Sequence, residues 1–254
     1  MIISIASQKG GVSKTTTSIC LASGLAHQGK RVLLVDIDSQ ANASKVLLPE
    51  YAQLRKEDTI YSTIIDRLPL KVIPSSVPNL SIVASHIMLS STDIQLSNAF
   101  DHRESRLKTE LDKIKGNFDY IFIDCPPSLG WLFFNALTAS DEAIVVVSPG
   151  YFELDSTKEI QKSIKEVQVN FNPNLKVKGF LFTMADSTIN SRESLKILRQ
   201  TYTGDVLTTV IPRNTDLRDA SFNHQDIFTF NDKSTGAQAY SKLIRELTAG
   251  EITL

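Results

Sequence analysis

Apolar runs of strand length recur along the chain at 2–6, 32–37, 80–84, 120–124, 143–147, 177–182 and 206–211. Most are continuous rather than alternating, the pattern of strands covered on both faces. Between them, 14–28, 105–115, 156–170, 191–202 and 237–249 read as helices. Strand alternating with helix predicts an α/β fold: a doubly wound, mostly parallel sheet flanked by helices. Ligands of such sheets sit outside the carboxyl ends of the strands. The stretch 49–78 is less regular and reads as an insertion or a mobile surface region. With no repeat, low-complexity tract or linker in the pattern, residues 1–254 read as a single domain.

The first strand runs into Ser7-Gln8-Lys9-Gly10-Gly11-Val12-Ser13-Lys14-Thr15-Thr16-Thr17. A turn with two glycines that enters a helix aims backbone N–H groups and the positive end of the helix dipole at one spot, which suits phosphate. Lys14 can reach β- and γ-phosphates, and the Thr15 hydroxyl can ligate Mg²⁺. The strict P-loop pattern fails, because Gln8 and Ser13 stand where it requires glycine. The plainer alternative is an ordinary Gly-rich strand-to-helix turn.

Two further strand ends carry acids. Asp36 and Asp38 are two residues apart and so share one side of the pleat. The spacing suits an Mg²⁺–water contact by Asp36 and orientation of an attacking water by Asp38. It suits equally a solvated pair that caps the next helix. Asp124 ends the run Tyr120-Ile121-Phe122-Ile123 before Pro126-Pro127. That is the form of a Walker B strand whose carboxylate holds Mg²⁺ through water, or simply of a strand stopped by a proline turn.

In combination these segments resemble the ParA/MinD family of deviant Walker A P-loop ATPases, whose loop reads Lys-Gly-Gly-x-Gly-Lys-Thr/Ser. Lys9 to Thr15 departs from it only at Ser13. If that position needs φ > 0, serine there costs about 1 kcal/mol. Asp36 to Asn42 resembles the family's Asp-x-Asp-Pro-Gln-Gly/Ala-Asn, with Ser39 in place of proline, and Asp124 to Pro127 its Asp-x-Pro-Pro. Residues 232–240 resemble its closing segment, so the likeness runs from residue 1 to about 247. The resemblance implies ATP and Mg²⁺ as cofactors. It implies nucleotide binding by Lys9, Gly10, Gly11, Val12, Ser13, Lys14, Thr15 and Thr16. Thr183-Met184 and Ile211-Pro212-Arg213-Asn214 would lie at the adenine, with Met184, Pro212 and Asn214 as its contacts. Thr15, Asp36 and Asp124 would serve the metal. Lys9, Lys14 and Asp38 would be catalytic, Lys9 reaching across a homodimer to the other subunit's nucleotide.

Composition narrows the output. Two cysteines, Cys20 and Cys125, supply neither a disulfide framework nor metal-ligand spacing. No apolar run approaches the ~20 residues that span a bilayer, and the N-terminus reads as a strand rather than a secretion signal. The expected location is the cytoplasm. A net charge of −1 means that DNA contact would have to come from a local patch. Arg192, Lys196 and Arg199 share one face of a helix pattern, and Arg213, Arg218, Lys233, Lys242 and Arg245 follow. In ParA-like relatives such residues bind DNA without sequence preference, which implies a nucleoid-associated protein. An adaptor of the ParB or McdB type would stimulate hydrolysis and link the ATPase to a plasmid, chromosome or carboxysome-like cargo. A MinD-like membrane ATPase is the alternative. However, 240–254 pairs two acids with two bases and is broken by Gly250, which is poor for an anionic bilayer. A metabolic ligase or amidating enzyme of the same superfamily is the third reading.

Overall fold

The computed structural model describes residues 1–99 and 101–249, apart from the side chains of 151–156. In chain order its elements begin β1 (Ile2–Ala6), α1 (Lys14–His27), β2 (Val32–Asp36), α2 (Asn42–Leu47), α3 (Ile60–Ile64), β3 (Ile73–Pro74), β4 (Leu80–Val83), α4 (Thr92–Ser97) and α5 (Arg106–Ile114). They continue β5 (Tyr120–Asp124), α6 (Trp131–Ala139), β6 (Glu142–Val147), α7 (Tyr151–Asn170), β7 (Lys176–Phe182), α8 (Ile189–Thr201), α9 (Thr215–Phe222), α10 (Ile227–Asn231) and α11 (Thr235–Thr248).

The strands form one sheet in the order β3-β4-β2-β5-β1-β6-β7. Pairing is parallel except for the β3–β4 edge. Strand β1 lies inside the sheet between β5 and β6. From β1 the chain crosses to β2 on one side, and after β5 it passes to β6 and β7 on the other. The order reverses beside β1, which opens a crevice at its carboxyl end.

Each sheet face supports its own core. One packs Ile3, Ile5, Leu34 and Phe122 against Leu21 and Leu25 of α1 and Tyr240, Leu243 and Ile244 of α11. The other packs Leu33, Val35, Ile121 and Val145 against Leu107 and Leu111 of α5 and Phe133 and Leu137 of α6. Continuous apolar strands are the consequence of cover on both sides. Each fully buried Leu or Ile contributes about 1.5–3 kcal/mol. Cys20 and Cys125 are both buried free thiols.

Six of the seven expected strands and all five expected helices are present, with ends shifted by a few residues. The exception is 206–211. It runs beside β7 and shares backbone hydrogen bonds with it but forms no continuous ladder: isolated bridges pair Phe180 with Val206 and, just beyond both segments, Ala185 with Pro212. The reason is local: the N–H groups of Thr208 and Thr209 donate to the two carboxylate oxygens of Glu246, at 2.7 and 2.9 Å, instead of to a strand. The stretch 49–78 is built rather than loose, since Ile60, Tyr61 and Ile64 of α3 are buried. Leu243 and Ile244 are core residues as expected. The expected break at Gly250 lies outside the described residues.

Candidate nucleotide-binding site

The loop between β1 and α1 sits at the crevice. Helix α1 is almost entirely buried along its length, so its N-terminus is held firmly against the sheet. Ser13 precedes the helix with φ 66°, a left-handed conformation, and Gly11 has φ 78°. The positive φ anticipated for Ser13 is therefore present, at a cost of about 1 kcal/mol relative to glycine. Thr17 holds the Ser13 carbonyl twice, by its N–H at 2.9 Å and its hydroxyl at 2.8 Å. Ala41, before α2, and Met184, after β7, are also left-handed, at φ 54° and 53°. Left-handed non-glycine residues thus occur in the loop itself and in the segments after β2 and β7, the kind of backbone strain that collects at functional sites.

A cavity of about 420 Å³ lies over the loop, walled by Lys9, Gly10, Ser13, Lys14, Thr15 and Asp38 among others. Lys14 and Asp38 are both buried and their charges pair at 3.7 Å. The Asp38 N–H donates to Asp36 at 3.2 Å, its carboxylate accepts from the Gln40 N–H at 3.0 Å, and its carbonyl accepts from Ser85 at 2.5 Å. Lys9 reaches the same cavity from an exposed position.

Below the cavity, register places Asp36 at the end of β2 directly beside Asp124 at the end of β5. Asp36 accepts from the Ser44 N–H at 2.9 Å and the Ser44 hydroxyl at 2.7 Å. Its carboxyl is nevertheless pushed up to about 7, by burial first and then by the charge of Asp124. Burial also raises Asp124, while the Lys14 ammonium and the hydroxyls of Thr15 and Ser18 draw it back down. Asp124 Oδ1 accepts from Ser18 at 2.9 Å, and Oδ2 is buried with no hydrogen-bond partner. A buried carboxylate oxygen left bare beside a second buried acid fits a cation. Among the described residues no cluster of three or more His, Cys, Asp or Glu could hold one. A cation here would take few carboxylates and fill its shell with hydroxyl, water and phosphate oxygens, as Mg²⁺ does at nucleotide sites.

A family model described as an AAA domain matches residues 1–177. The chain is 40% identical over 251 residues to the sporulation initiation inhibitor protein Soj of Bacillus subtilis, covering 98% of each. It is 36% identical over 249 residues to the chromosome partitioning protein ParA of Myxococcus xanthus, covering 97% of this chain and 87% of that one. The chain belongs to the ParA/Soj family of P-loop ATPases. Among solved structures it resembles a cobyrinic acid a,c-diamide synthase from Mycobacterium smegmatis with bound ADP and magnesium, at 31% identity and TM-score 0.81, with 98% and 96% of the two chains covered. A putative plasmid partition protein of Borrelia burgdorferi bound to AMPPNP matches at 26% identity and TM-score 0.83, with 99% of each covered. McdA of Cyanothece shares the fold, with TM-score 0.87 at 18% identity and coverage of 97% and 98%.

The remaining residues singled out by family likeness fall in two groups. Met184, Pro212 and Asn214 line a cavity of about 590 Å³ that adjoins the loop at Ser13 and Thr16. Thr183 is fully buried beneath it and donates to the Val12 carbonyl at 2.9 Å. The Asn214 side chain is already engaged at both ends: its oxygen caps α9 through the Leu217 N–H, and its amide donates to Thr235. Arg192, Lys196, Arg199, Arg213, Arg218, Lys233, Lys242 and Arg245 are the cations expected at DNA, and all lie at the surface, though Lys196 pairs with Glu193 and Arg218 with Asp219. Arg213 and Arg218 also line the Met184–Pro212 cavity. Sequence reasoning missed Ser18, Ser44 and Ser85, the hydroxyls that fix the three acids. Serine is too common for its spacing to have marked them.

Proposed function

We propose that this ATPase is a nucleotide switch. It closes face to face as a homodimer around two Mg-ATP, holds non-specific DNA in that form and releases it after hydrolysis. The observation that carries the reading is a pair of lysines at one cavity, Lys14 buried within it and Lys9 exposed on its wall. Lys14 serves the nucleotide of its own chain, and an outward cation suits a nucleotide held by a second copy.

In this reading Lys14 and the N–H groups of residues 10–16 bind the phosphates. Thr15 and Asp124 would hold Mg²⁺, with Asp36 supporting it, and the bound ion would supply positive charge at the β- and γ-phosphate oxygens. Phosphate draws Lys14 away from Asp38, which leaves that carboxylate to orient the attacking water. Each Lys9 stabilises charge on the other subunit's transferring phosphoryl group, the work of an arginine finger supplied in trans. Met184 and Pro212 present apolar surface to the adenine, and the Asn214 backbone reads its edge. The eight surface cations bind DNA through its phosphates, with strong salt dependence. An adaptor of the ParB or McdB kind stimulates hydrolysis and joins the switch to its cargo at the nucleoid. Residues 1–254 act as one ATPase domain. No helix among the described residues is long and apolar enough to cross a membrane.

The likeness to a diamide synthase at 31% identity favours a second reading, a metabolic amidating enzyme. The 40% identity to Soj over the whole chain weighs more. DNA titrations with ATP, ADP and no nucleotide test the choice. Binding should require ATP in the wild type, vanish in Lys9→Ala and persist in Asp38→Ala. Equal binding in all three nucleotide states rejects the switch.

A further inference from the structure

The phosphate loop is braced from the far end of the chain. Tyr240 lies in α11 and is fully buried, with its hydroxyl 2.9 Å from Thr17 Oγ1. Thr17 has one hydroxyl hydrogen, and it is directed at the Ser13 carbonyl 2.8 Å away. Tyr240 is therefore the donor of the pair. Burial holds its phenol well above the usual range, so the proton stays in place. A donor feeding an oxygen that itself donates polarises the second bond and strengthens it.

The brace is rigid at its base. Helix α11 approaches α1 where Gly24 leaves room: a Cβ there would fall 2.3 Å from Ile244 Cδ1 and 2.8 Å from Phe228 Cε2. The carbonyl before Ser13 is pinned as well, by Thr183 on Val12. Ser13 has no side-chain hydrogen bond at the helix start to hold its left-handed backbone. Its conformation is maintained from outside.

We propose that Tyr240 is a positioning residue for the ATPase reaction: acting through Thr17, it keeps Ser13 left-handed and so sets the loop that receives the phosphates. The proposal rests on the reading that this loop binds ATP. Tyr240 touches no nucleotide itself. It links α11, which carries Lys242 and Arg245, to the loop through two hydrogen bonds.

The test is a titration of a fluorescent ATP analogue, with Mg²⁺, into wild type, Tyr240→Phe and Thr17→Val, each made also in a Ser13→Gly background. Phenylalanine and valine come close to the volume of the residues they replace, and thermal midpoints read alongside report whether the fold is retained. Tyr240→Phe should weaken binding on the order of fivefold and Thr17→Val on the order of tenfold, the range one hydrogen bond spans. In the Ser13→Gly background the same changes should cost less than twofold, because glycine adopts positive φ unaided. A purely structural role lowers the midpoint and leaves the ratio between backgrounds at one. Equal losses in both backgrounds, or no loss in either single variant, overturn the proposal. A wild type that binds no ATP instead defeats the reading of the loop.

Discussion

Two acids buried side by side should make the nucleotide-free protein less stable as the pH rises from 5 towards 7. Asp36 is wholly buried with its carboxyl at about 7, and Asp124 is raised in the same direction, in both cases by burial first. In the unfolded chain each returns to about 3.9. Between those values the folded protein keeps protons that the unfolded chain has released, so unfolding gains ground with pH. One such group costs about 1.4 kcal/mol per pH unit across the interval. From pH 5 to 6.5 Asp36 alone removes ~2 kcal/mol, which lowers the melting midpoint by about 4–8 °C in a chain of this size. Asp124 adds to this with the same sign. The carboxylates that ion pairs pull down to about 2, Asp58 by Lys71 and Asp119 by Arg31, act below pH 4 and leave the window clear. The measurement is thermal melting without nucleotide at pH 5, 5.75 and 6.5, for wild type and Asp124→Asn. The asparagine keeps a partner for Ser18 and removes one buried charge. Its slope with pH should be visibly flatter and its midpoint at pH 7.5 higher than wild type. Added Mg-ADP should stabilise wild type far more than the variant. A wild-type midpoint that stays level or rises between pH 5 and 6.5 refutes the argument, as does an identical slope in the variant.

Three other outcomes follow from the geometry. Ser13→Gly relieves a left-handed serine worth about 1–2 kcal/mol and gives back ~0.4–1 in unfolded-state entropy; melting should show a gain of a few degrees that Ser13→Ala lacks. Gly24→Ala drives a methyl into Ile244 and Phe228, so urea unfolding should record a loss of about 1–3 kcal/mol, with little change if α11 is not docked as described. Replacing Arg192, Lys196 and Arg199 together by glutamine should reduce the slope of log affinity for DNA against log salt by about one for each phosphate no longer neutralised, while ATP turnover without DNA stays as in wild type.

Much of this was legible in the sequence because the deciding forces are local. Continuous apolar runs marked six strands, and the order of Lys14, Asp36 and Asp124 along the chain followed the strand ends that the sheet then gathers. Ser13 was legible as a strained position because a motif that expects glycine there met a side chain. What could not be read is what distant residues decide. Residues 206–211 have strand composition, but Glu246 takes their donors from 37 positions away. Nothing in the sequence around Tyr240 points to Thr17, because their bond spans 223 positions. Short helices such as α3 and α9 hold too few turns for a hydrophobic period to emerge. The engagement of the Asn214 side chain by the α9 cap and Thr235 is likewise a matter of the fold.

The margins of the sheet carry a last consequence. At one side β3 is only Ile73–Pro74, antiparallel, and Pro74 has no N–H to offer an incoming strand. At the other, the strap at 206–211 lies along β7 and takes up its outward bonds: the Phe180 N–H donates to the Asp205 carbonyl, and the Phe182 carbonyl accepts from the Ile211 N–H. Both borders therefore resist growth by β-addition, which disfavours self-association through strand exchange and the aggregation that goes with it.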